Sequence, residues 1–340
     1  MHAAFYEGNR TISLGPCVPV PPAPGEVQVQ ISHCGICGTD MHIFHGDMDR
    51  RVHMPQIMGH EVSGTIAAIG AGVVGLALGE RVVVRPLSAC GACPACRAGH
   101  SHICQNLKFL GIDTPGGLQS YWTVPADTVH RLPANMSLAH GAMIEPLAVA
   151  CHDVRMGGVQ AGEHVVVIGG GPIGTLIALV ARQAGARVLV SEVNPFRLQL
   201  AQELGLDTFN PRESDLVAHV TAQTNQAGAD VVFEVSGTPA GAEVMTDLAR
   251  TRGRIVVVAI FSKPPPVNLH RVFWRELRLM GARVYEREDF DTAIQLAASG
   301  AIPLDRLITQ IRPLGELEDS LKQLESGGQV MKILLQVAAS

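Results

Sequence analysis

A run of glycines between an apolar strand and a helix constrains the fold of this chain more than any other feature. Residues 165–168 read VVVI, a continuous apolar segment typical of a strand buried in a parallel sheet. Residues 169–174 read GGGPIG, which matches G-x-G-x-x-G, and a helix is predicted over 172–184. A strand, glycine turn and helix in this order predict a doubly wound α/β sheet that binds a dinucleotide, with the pyrophosphate at the helix N-terminus.

The predicted elements divide the chain into two kinds of segment. The first part is β-rich and favours a small barrel or folded sheet, with two loop-like insertions at His33–Arg51 and Ser88–Asn106. From about Glu163 onward strands and helices alternate, which favours a Rossmann domain. Strands are predicted at 27–31, 62–69, 81–84, 187–191, 231–235, 254–260 and 330–335, and further helices at 195–204, 240–249 and 289–299.

The acidic residue Glu192 bears on which dinucleotide is bound. It ends the second predicted Rossmann strand, about 20 residues after the glycines, where the dinucleotide fingerprint expects a carboxylate. Such a carboxylate accepts hydrogen bonds from the ribose hydroxyls and repels a 2′-phosphate, so it favours NAD over NADP. Two features leave alternatives open, because the nearby Arg197 can accommodate a 2′-phosphate and Glu192 can instead cap the next helix.

Four cysteines are spaced C-x2-C-x2-C-x7-C at Cys90, Cys93, Cys96 and Cys104. Four thiolates this close can surround one tetrahedral zinc ion and close it to solvent, which predicts a structural metal site. Iron–sulfur ligation uses similar spacings, but nothing else in the sequence suggests electron transfer. Disulfides are disfavoured because the N-terminus has no secretory signal, so a cytoplasmic, reducing location is expected.

A second set of metal ligands is more dispersed. Cys37 lies in CGTDMH at 37–42, and Gly59-His60-Glu61 follows about twenty residues later. Taken singly, a cysteine is often a small core residue, and a histidine beside a glutamate is often a surface pair. Together, Cys37, His60 and a carboxylate make the open three-ligand zinc site that catalysis needs.

These motifs together resemble the zinc-containing medium-chain dehydrogenase/reductases, in their polyol and threonine dehydrogenase branch. The resemblance covers nearly the whole chain and also includes Glu145-Pro146-Leu147, with all motifs in family order. It implies a GroES-like catalytic domain formed by residues 1–146 and 282–340, a Rossmann NAD-binding domain at 147–281, and an active site in the cleft. It further implies a homo-oligomer, with a tetramer favoured over a dimer.

The resemblance also implies roles for individual residues. Cys37 and His60 resemble zinc ligands, and the third ligand stays open among Glu61, Glu145 and Cys151. Thr39 resembles the residue that accepts the alcohol proton, His42 the relay to solvent, and Glu61 a carboxylate that can exchange at the metal. The segment 281–285 resembles a strand that passes the nicotinamide. The candidates for cofactor binding are Gly169, Gly171, Pro172, Ile173, Gly174, Glu192, Arg197, Val235 and Arg283.

The expected activity is therefore zinc-dependent, NAD-linked oxidation of a secondary alcohol, with two zinc ions per subunit. A polyol or vicinal diol is the favoured substrate. L-threonine 3-dehydrogenase and butanediol dehydrogenase are alternatives, although the segment after 81–84 reads Arg85-Pro86-Leu87 and lacks the histidine associated with threonine oxidation. An alternative of another class is a non-catalytic zinc- and nucleotide-binding relative, which the retained Cys37 and His60 disfavour.

Composition limits the partners of the chain. The net charge of -5 over 340 residues gives no basic surface for nucleic acid or an anionic membrane. The hydrophobic fraction of 47% and the charged fraction of 17% are typical of a packed globular protein. No apolar run is long enough to cross a membrane. A small molecule is therefore the expected partner besides further copies of the chain.

Overall fold

The structure is a computed structural model that describes residues 1–337. Besides α-helices and strands it has short 3₁₀ helices at Ser101–Ile103, Ala126–Thr128 and Leu314–Glu316. The strands are β1 (His2–Gly8), β2 (Thr11–Pro16), β3 (Glu26–Gly35), β4 (Gln56–Ile57), β5 (Glu61–Ile69), β6 (Arg81–Val84), β7 (Leu87–Ser88), β8 (Lys108–Phe109), β9 (Tyr121–Pro125), β10 (Val129–Arg131), β11 (His164–Ile168), β12 (Arg187–Ser191), β13 (Asp207–Phe209), β14 (Ala229–Glu234), β15 (Ala249–Val257), β16 (Arg278–Gly281), β17 (Ile308–Pro313) and β18 (Lys332–Gln336). The helices are α1 (Gly38–Phe44), α2 (Pro94–Arg97), α3 (Leu138–Gly141), α4 (Ile144–Met156), α5 (Pro172–Gln183), α6 (Pro195–Glu203), α7 (Leu216–Gln223), α8 (Pro239–Leu248), α9 (Leu269–Trp274), α10 (Arg287–Ala298), α11 (Leu304–Leu307) and α12 (Leu317–Glu325).

The first compact unit contains Met1–Glu145 and the chain from Glu286 onward. Its largest sheet has the order β10-β6-β5-β3-β18-β17, and β9 also pairs with β3. The alternation predicted for β3 is observed, because Val27, Val29 and Ile31 are all fully buried on the core side. Two smaller sheets, β2-β1-β4 and β7-β8, complete the unit. The last strand of the chain thus pairs with the strand that leads into Cys37.

The second compact unit is Pro146–Tyr285. Its six-stranded sheet is parallel throughout, with the order β13-β12-β11-β14-β15-β16. The apolar run predicted to be a buried strand is the central strand β11, and Val165–Ile168 are all buried there. Helix α5 packs on β11 and β12, and α8 packs on β14 and β15. The sequence alone placed the unit limits at 146/147 and 281/282.

Two differences from the sequence-based expectations affect segments that carry candidate site residues. The insertion His33–Arg51 is not irregular, because β3 extends to Gly35 and is followed by the helix α1. The strand expected at 281–285 lies earlier, at Arg278–Gly281. In the part of the chain that the structure describes, no helix is long and apolar enough to span a membrane.

Candidate active site

The first group of candidate ligands is positioned by the start of α1. Cys37 is the N-cap residue, and its backbone N–H donates to Oδ2 of Asp40 at 2.9 Å. Asp40 is three residues into the capped turn, which is the position from which an acidic side chain reaches back to the N-cap. Because Asp40 is 1% exposed, its carboxylate is a buried charge directly beside Cys37.

His60 and Glu61 are positioned by the turn before β5. Gly59 has φ +93°, and a Cβ there would lie 2.6 Å from Sγ of Cys34, so only glycine allows this close approach. The His60 ring lies edge-on to Phe109, with ring centroids 5.2 Å apart. Its Nδ1 faces Oδ1 of Asp40 at 3.8 Å. The turn therefore directs a buried imidazole and a buried carboxylate towards the start of α1.

The structure brings Cys37, His60 and Glu61 together, since one ligand atom from each lies within 4.8 Å of the others. Glu145, at the start of α4, is buried, and its charge acts on His60. Burial lowers the pKa of His60, but the charges of Asp40, Cys37 and Glu145 outweigh burial and raise it to about 10. Such a strongly anionic environment favours a bound cation.

Two features of these side chains fit a zinc ion: the kinds of donor atom they offer, and buried polar atoms that have no hydrogen-bond partner in the described part of the chain. Thiolate, imidazole and carboxylate are the donors that zinc uses, and three protein ligands are typical of a catalytic site. Among the residues that the structure describes, the buried Nδ1 of His60 and Oδ1 of Asp40 have no hydrogen-bond partner. An Asp40 carboxylate behind His60 matches the carboxylate–histidine–metal arrangement, which tightens when a metal binds.

One buried residue at this site was missed by the reasoning from sequence. Lys332, the first residue of β18, forms an ion pair with Glu61 and donates from Nζ to the backbone oxygen of Ile36 at 2.8 Å. Both charged side chains are almost fully buried. The only signal in the sequence is a single lysine within the apolar run 330–335.

The two proposed relay residues lie on α1. Oγ1 of Thr39 is 3.8 Å from Sγ of Cys37, so the hydroxyl is next to the metal-binding group. Nδ1 of His42 lies 3.0 Å from Oδ2 of Asp47, and both side chains are partly open to solvent. Asp47 is held near His42 because its backbone N–H donates to the His42 carbonyl at 3.0 Å.

The four cysteines of the Ser88–Asn106 loop form a second compact group. Sγ of Cys93 lies 3.5 Å from that of Cys96 and 3.8 Å from that of Cys104, which is 3.4 Å from Sγ of Cys90. Four sulfurs at about 2.3 Å from a tetrahedral zinc would be about 3.8 Å apart. Backbone N–H groups of Gln105 and Asn106 donate to these sulfurs, as expected around thiolates. The group therefore fits a closed zinc site.

Five of the nine predicted cofactor residues line a cavity of about 590 Å³ at the carboxyl ends of β11, β12 and β14. This edge of a parallel sheet is where dinucleotides bind. The lining includes Gly169, Gly171, Glu192, Arg197 and Val235. Ser236 and Thr238, which follow β14, also line the cavity, and of these two only Thr238 had not been identified from sequence.

The remaining predicted cofactor residues have other positions. Pro172 and Ile173 begin α5, directly after Gly171 at its N-cap. Gly174 packs against the glycine turn, where a Cβ would lie 1.9 Å from the Gly169 carbonyl oxygen, so close packing requires glycine. Arg283 lies just after β16 and is not part of the cavity lining.

Glu192 has a structural role in addition to its place in the cavity. Its Oε2 accepts a hydrogen bond from the backbone N–H of Gly170 at 2.8 Å. Its Oε1 accepts from the N–H groups of Val193 and Asn194 at 2.6 and 2.8 Å. The carboxylate thus joins the glycine turn to the end of β12, and it is held in place before any nucleotide arrives. Asn194, rather than Glu192, caps α6.

Comparison with known proteins shows which family the chain belongs to. Residues 23–134 match the alcohol dehydrogenase GroES-like domain, and residues 172–299 match the zinc-binding dehydrogenase family. A 2-dehydro-3-deoxy-L-galactonate 5-dehydrogenase of Pseudoalteromonas atlantica is 53% identical over 100% of this chain and 99% of that protein. An L-threonine 3-dehydrogenase of Pyrococcus furiosus is 36% identical over 92% of both chains. A zinc-binding dehydrogenase structure from Sinorhizobium meliloti, bound to NADP, has a TM-score of 0.93 at 33% identity over 98% of each chain.

The chain belongs to the zinc-containing medium-chain dehydrogenases. The predicted combination of a GroES-like domain and a Rossmann domain is confirmed. The prediction that the chain is an enzyme is also confirmed, because full-length relatives are dehydrogenases. The alternative of a non-catalytic binding protein receives no support from these relatives. Oxidation of a secondary alcohol with a nicotinamide cofactor is the activity of this dehydrogenase.

Chemical modification tests the cysteine group of this dehydrogenase without any substrate. Hydrogen bonds from the backbone of Ala92 and Cys93 lower the pKa of Cys90 to about 6, whereas burial and neighbouring thiols raise that of Cys96 to about 12. After removal of metal with a chelator at pH 7, we expect iodoacetamide to modify Cys90 well before Cys96, because only the thiolate reacts. Peptide mass spectrometry measures the order, the zinc-loaded protein is the unreactive control, and equal rates would contradict the prediction.

Proposed function

We propose that this dehydrogenase oxidises a secondary hydroxyl of a polyol or polyhydroxy acid to the ketone, reversibly and with NAD, at a zinc ion held by Cys37 and His60. The observation that carries the proposal is the group of the half-buried Cys37 and the buried His60 and Glu61, whose ligand atoms lie within 4.8 Å of one another. Glu145 is the favoured third ligand, because the Glu61 carboxylate is engaged in the ion pair with Lys332. Cys151 is the weaker candidate, because it lies six residues further along α4 and is not part of this group.

When bound, zinc supplies a Lewis acid that lowers the pKa of the substrate hydroxyl, and NAD supplies the hydride acceptor. Asp40 orients the His60 ring from behind through its second nitrogen. Thr39 would accept the hydroxyl proton while it passes its own hydroxyl proton onward, for which its position beside Cys37 is suitable. His42 passes that proton to solvent, because it is partly exposed and its ring is oriented by Asp47.

The substrate class follows from the relatives together with the site. The Pseudoalteromonas relative is named for a polyhydroxy acid oxidised at carbon 5, and it matches this chain from end to end. Threonine, the substrate of the Pyrococcus relative, is the second candidate at lower identity. Both molecules have a carboxylate besides the hydroxyl that reacts. A polyhydroxy acid of the first type is therefore the substrate to test first.

NAD is the proposed cofactor because Glu192 presents a carboxylate to the cavity. That carboxylate is fixed by three backbone N–H groups, so it cannot easily move away from a 2′-phosphate. Arg197 would attract a 2′-phosphate and so favour NADP. Its Nη1 lies 3.9 Å from Oε2 of Glu192. The cofactor residues Gly169, Gly171, Pro172, Ile173 and Gly174 would hold the pyrophosphate at the start of α5.

We also propose two zinc ions per subunit and a homo-oligomer in the cytoplasm. The second zinc would stabilise the loop of Cys90, Cys93, Cys96 and Cys104. Oligomer formation is supported by the edge strand β16 and by the largely exposed side chains of Leu269, Phe273 and Trp274 on α9, which a second copy of the chain would cover. A reducing compartment is consistent with eight free cysteines.

A substrate panel tests the proposed function. The purified chain with zinc and NAD is assayed for NADH formation with 3-deoxy sugar acids, sorbitol, butanediol and L-threonine, and for the reverse reaction with the corresponding ketones. We expect the highest kcat/KM for a polyhydroxy acid or polyol. A preference for threonine would replace the proposed substrate class, and inactivity with every secondary alcohol while zinc is bound would contradict the activity itself.

Metal analysis tests the two-zinc assignment. In Cys37→Ser we expect zinc to fall from about two ions to about one per chain, because one ligand of the open site is lost while the closed site is unchanged. Turnover should be lost with it. Cys17→Ser is the matched control, since Cys17 belongs to neither group, and it should retain both ions. A Cys37→Ser protein that keeps both zinc ions would contradict the assignment.

Nucleotide binding tests the role of Glu192. In Glu192→Gln we expect the ratio of NADPH to NADH affinity to rise about tenfold, which is about 1.4 kcal/mol, because the repulsion of the 2′-phosphate is removed while Arg197 remains. Fluorescence titration with each nucleotide gives the ratio. Glu203→Gln, at an exposed position on the same helix α6 as Arg197, should leave it unchanged. An unchanged ratio in Glu192→Gln would show that discrimination lies elsewhere.

A further inference from the structure

The last strand of the chain is tied to the segment that carries Cys37. Strand β18 pairs antiparallel with β3, with Leu334 opposite Gly35, and continuing this register by two residues puts Lys332 opposite Cys37. The backbone N–H of Ile36 donates to the Ile333 carbonyl at 3.1 Å. Position 332 is therefore set by backbone pairing and not by the preference of its own side chain.

The Lys332 side chain has two partners in a buried setting. Its Nζ donates to the Ile36 carbonyl at 2.8 Å and forms an ion pair with Oε2 of Glu61. The side chains of Lys332 and Glu61 are 3% and 1% exposed. A buried ion pair of this kind rarely stabilises a fold more than apolar residues of the same size would. Because this ion pair also lies beside candidate metal ligands, we infer that it has a role at the metal site.

The glycine at position 35 makes room for this pair. A Cβ there would lie 2.0 Å from Oε2 of Glu61 and 3.1 Å from Cε of Lys332. Any larger residue at this position would displace the carboxylate from the ammonium group. Backbone and side chains of β3, β5 and β18 thus converge on one carboxylate oxygen.

A divalent ion bound by Cys37 and His60 would compete with Lys332 for the same carboxylate, because Glu61 lies within 4.8 Å of both ligand atoms. We propose that Lys332 is a positioning residue that retains Glu61 next to the metal site and prevents it from becoming a permanent ligand. A coordination position then stays available for the substrate hydroxyl. This inference rests on the proposed role of Cys37 and His60 as zinc ligands.

The test compares the metal site in four proteins: the wild type, Lys332→Met, Glu61→Gln, and the double variant. Methionine keeps an unbranched side chain of nearly the same length and removes the charge and the N–H donors. One readout is the rate at which the zinc of this site is released to a chelator. The other is the visible spectrum after cobalt replaces this zinc, which reports the number and type of ligands. Lys322→Met is the matched control, since Lys322 forms an exposed ion pair with Glu318.

We expect Lys332→Met to change the cobalt spectrum towards an added oxygen ligand and to slow metal release about 10- to 100-fold, the range that groups around a metal site commonly contribute. In the Glu61→Gln background the same substitution should change neither readout, because no carboxylate is left to bind. An effect of equal size in both backgrounds would show that Lys332 acts only through its charge, and would overturn the proposal. A wild-type spectrum in Lys332→Met would also overturn it.

A second variant separates Glu61 from Lys332 by moving the carboxylate instead of removing the lysine charge. Gly35→Ala forces Glu61 away from Lys332 while the lysine stays charged, so it should reproduce the spectral change even if Lys332→Met does not fold. The wild-type spectrum in Gly35→Ala would overturn the proposal. These readouts do not depend on which alcohol is oxidised, so a failed substrate panel leaves the test intact. Absence of metal from this site in the wild type would overturn the proposed function, and this inference with it.

Discussion

Charged side chains are buried together at one point of the first unit, and the strands and turns around that point supply their partners. Asp40, Glu61 and Glu145 are buried acidic residues around Cys37 and His60, and the charges of Asp40 and Glu145 raise the pKa of His60. Removing such groups from water costs several kcal/mol each unless opposite charges compensate them. Within the described chain, Lys332 supplies compensation at Glu61, and the proposed zinc ion supplies the remainder.

Compensation of the buried Glu61 charge depends on the part of the chain that follows the second unit. The ligands come from the turns before α1 and β5, which are neighbours in sequence. The compensating lysine comes from β18, almost three hundred residues later, as the 296-residue separation of Lys332 and Ile36 shows. Pairing of β18 with β3 joins the two. The Rossmann unit can then be inserted between them without disturbing the metal site, since it has its own sheet and core.

Much of the fold and site could be predicted because the determining signals are short. The glycine turn of 169–174 and the four cysteines each occupy one segment, so spacing alone indicates their chemistry. Glu192 was found in the same way, although the hydrogen bonds that fix it are visible only in the structure. Helix α1 was missed because its seven residues are too few to show a helical period, and its N-cap residue, Cys37, is not one that signals a helix start in the sequence.

Lys332 could not be predicted, because its partner is remote in sequence and a lysine in a strand is normally an exposed edge residue. Its assignment needs the register of β18 on β3, which hydrophobic patterning does not define to a single residue. The same limitation applies to the segment 281–285. The family resemblance led us to expect a strand there, whereas the observed pairing with β15 ends at Gly281.

Anomalous X-ray diffraction on crystals of this chain, recorded on both sides of the zinc absorption edge, tests the central claim most directly. We expect two zinc peaks in each chain. One zinc peak should lie next to Cys37 and His60, close to the carboxylate of Glu61 or Glu145. The other should lie among the four cysteines. A single peak at the four cysteines in crystals grown with zinc would contradict the assignment of an active-site metal, and with it the proposed mechanism.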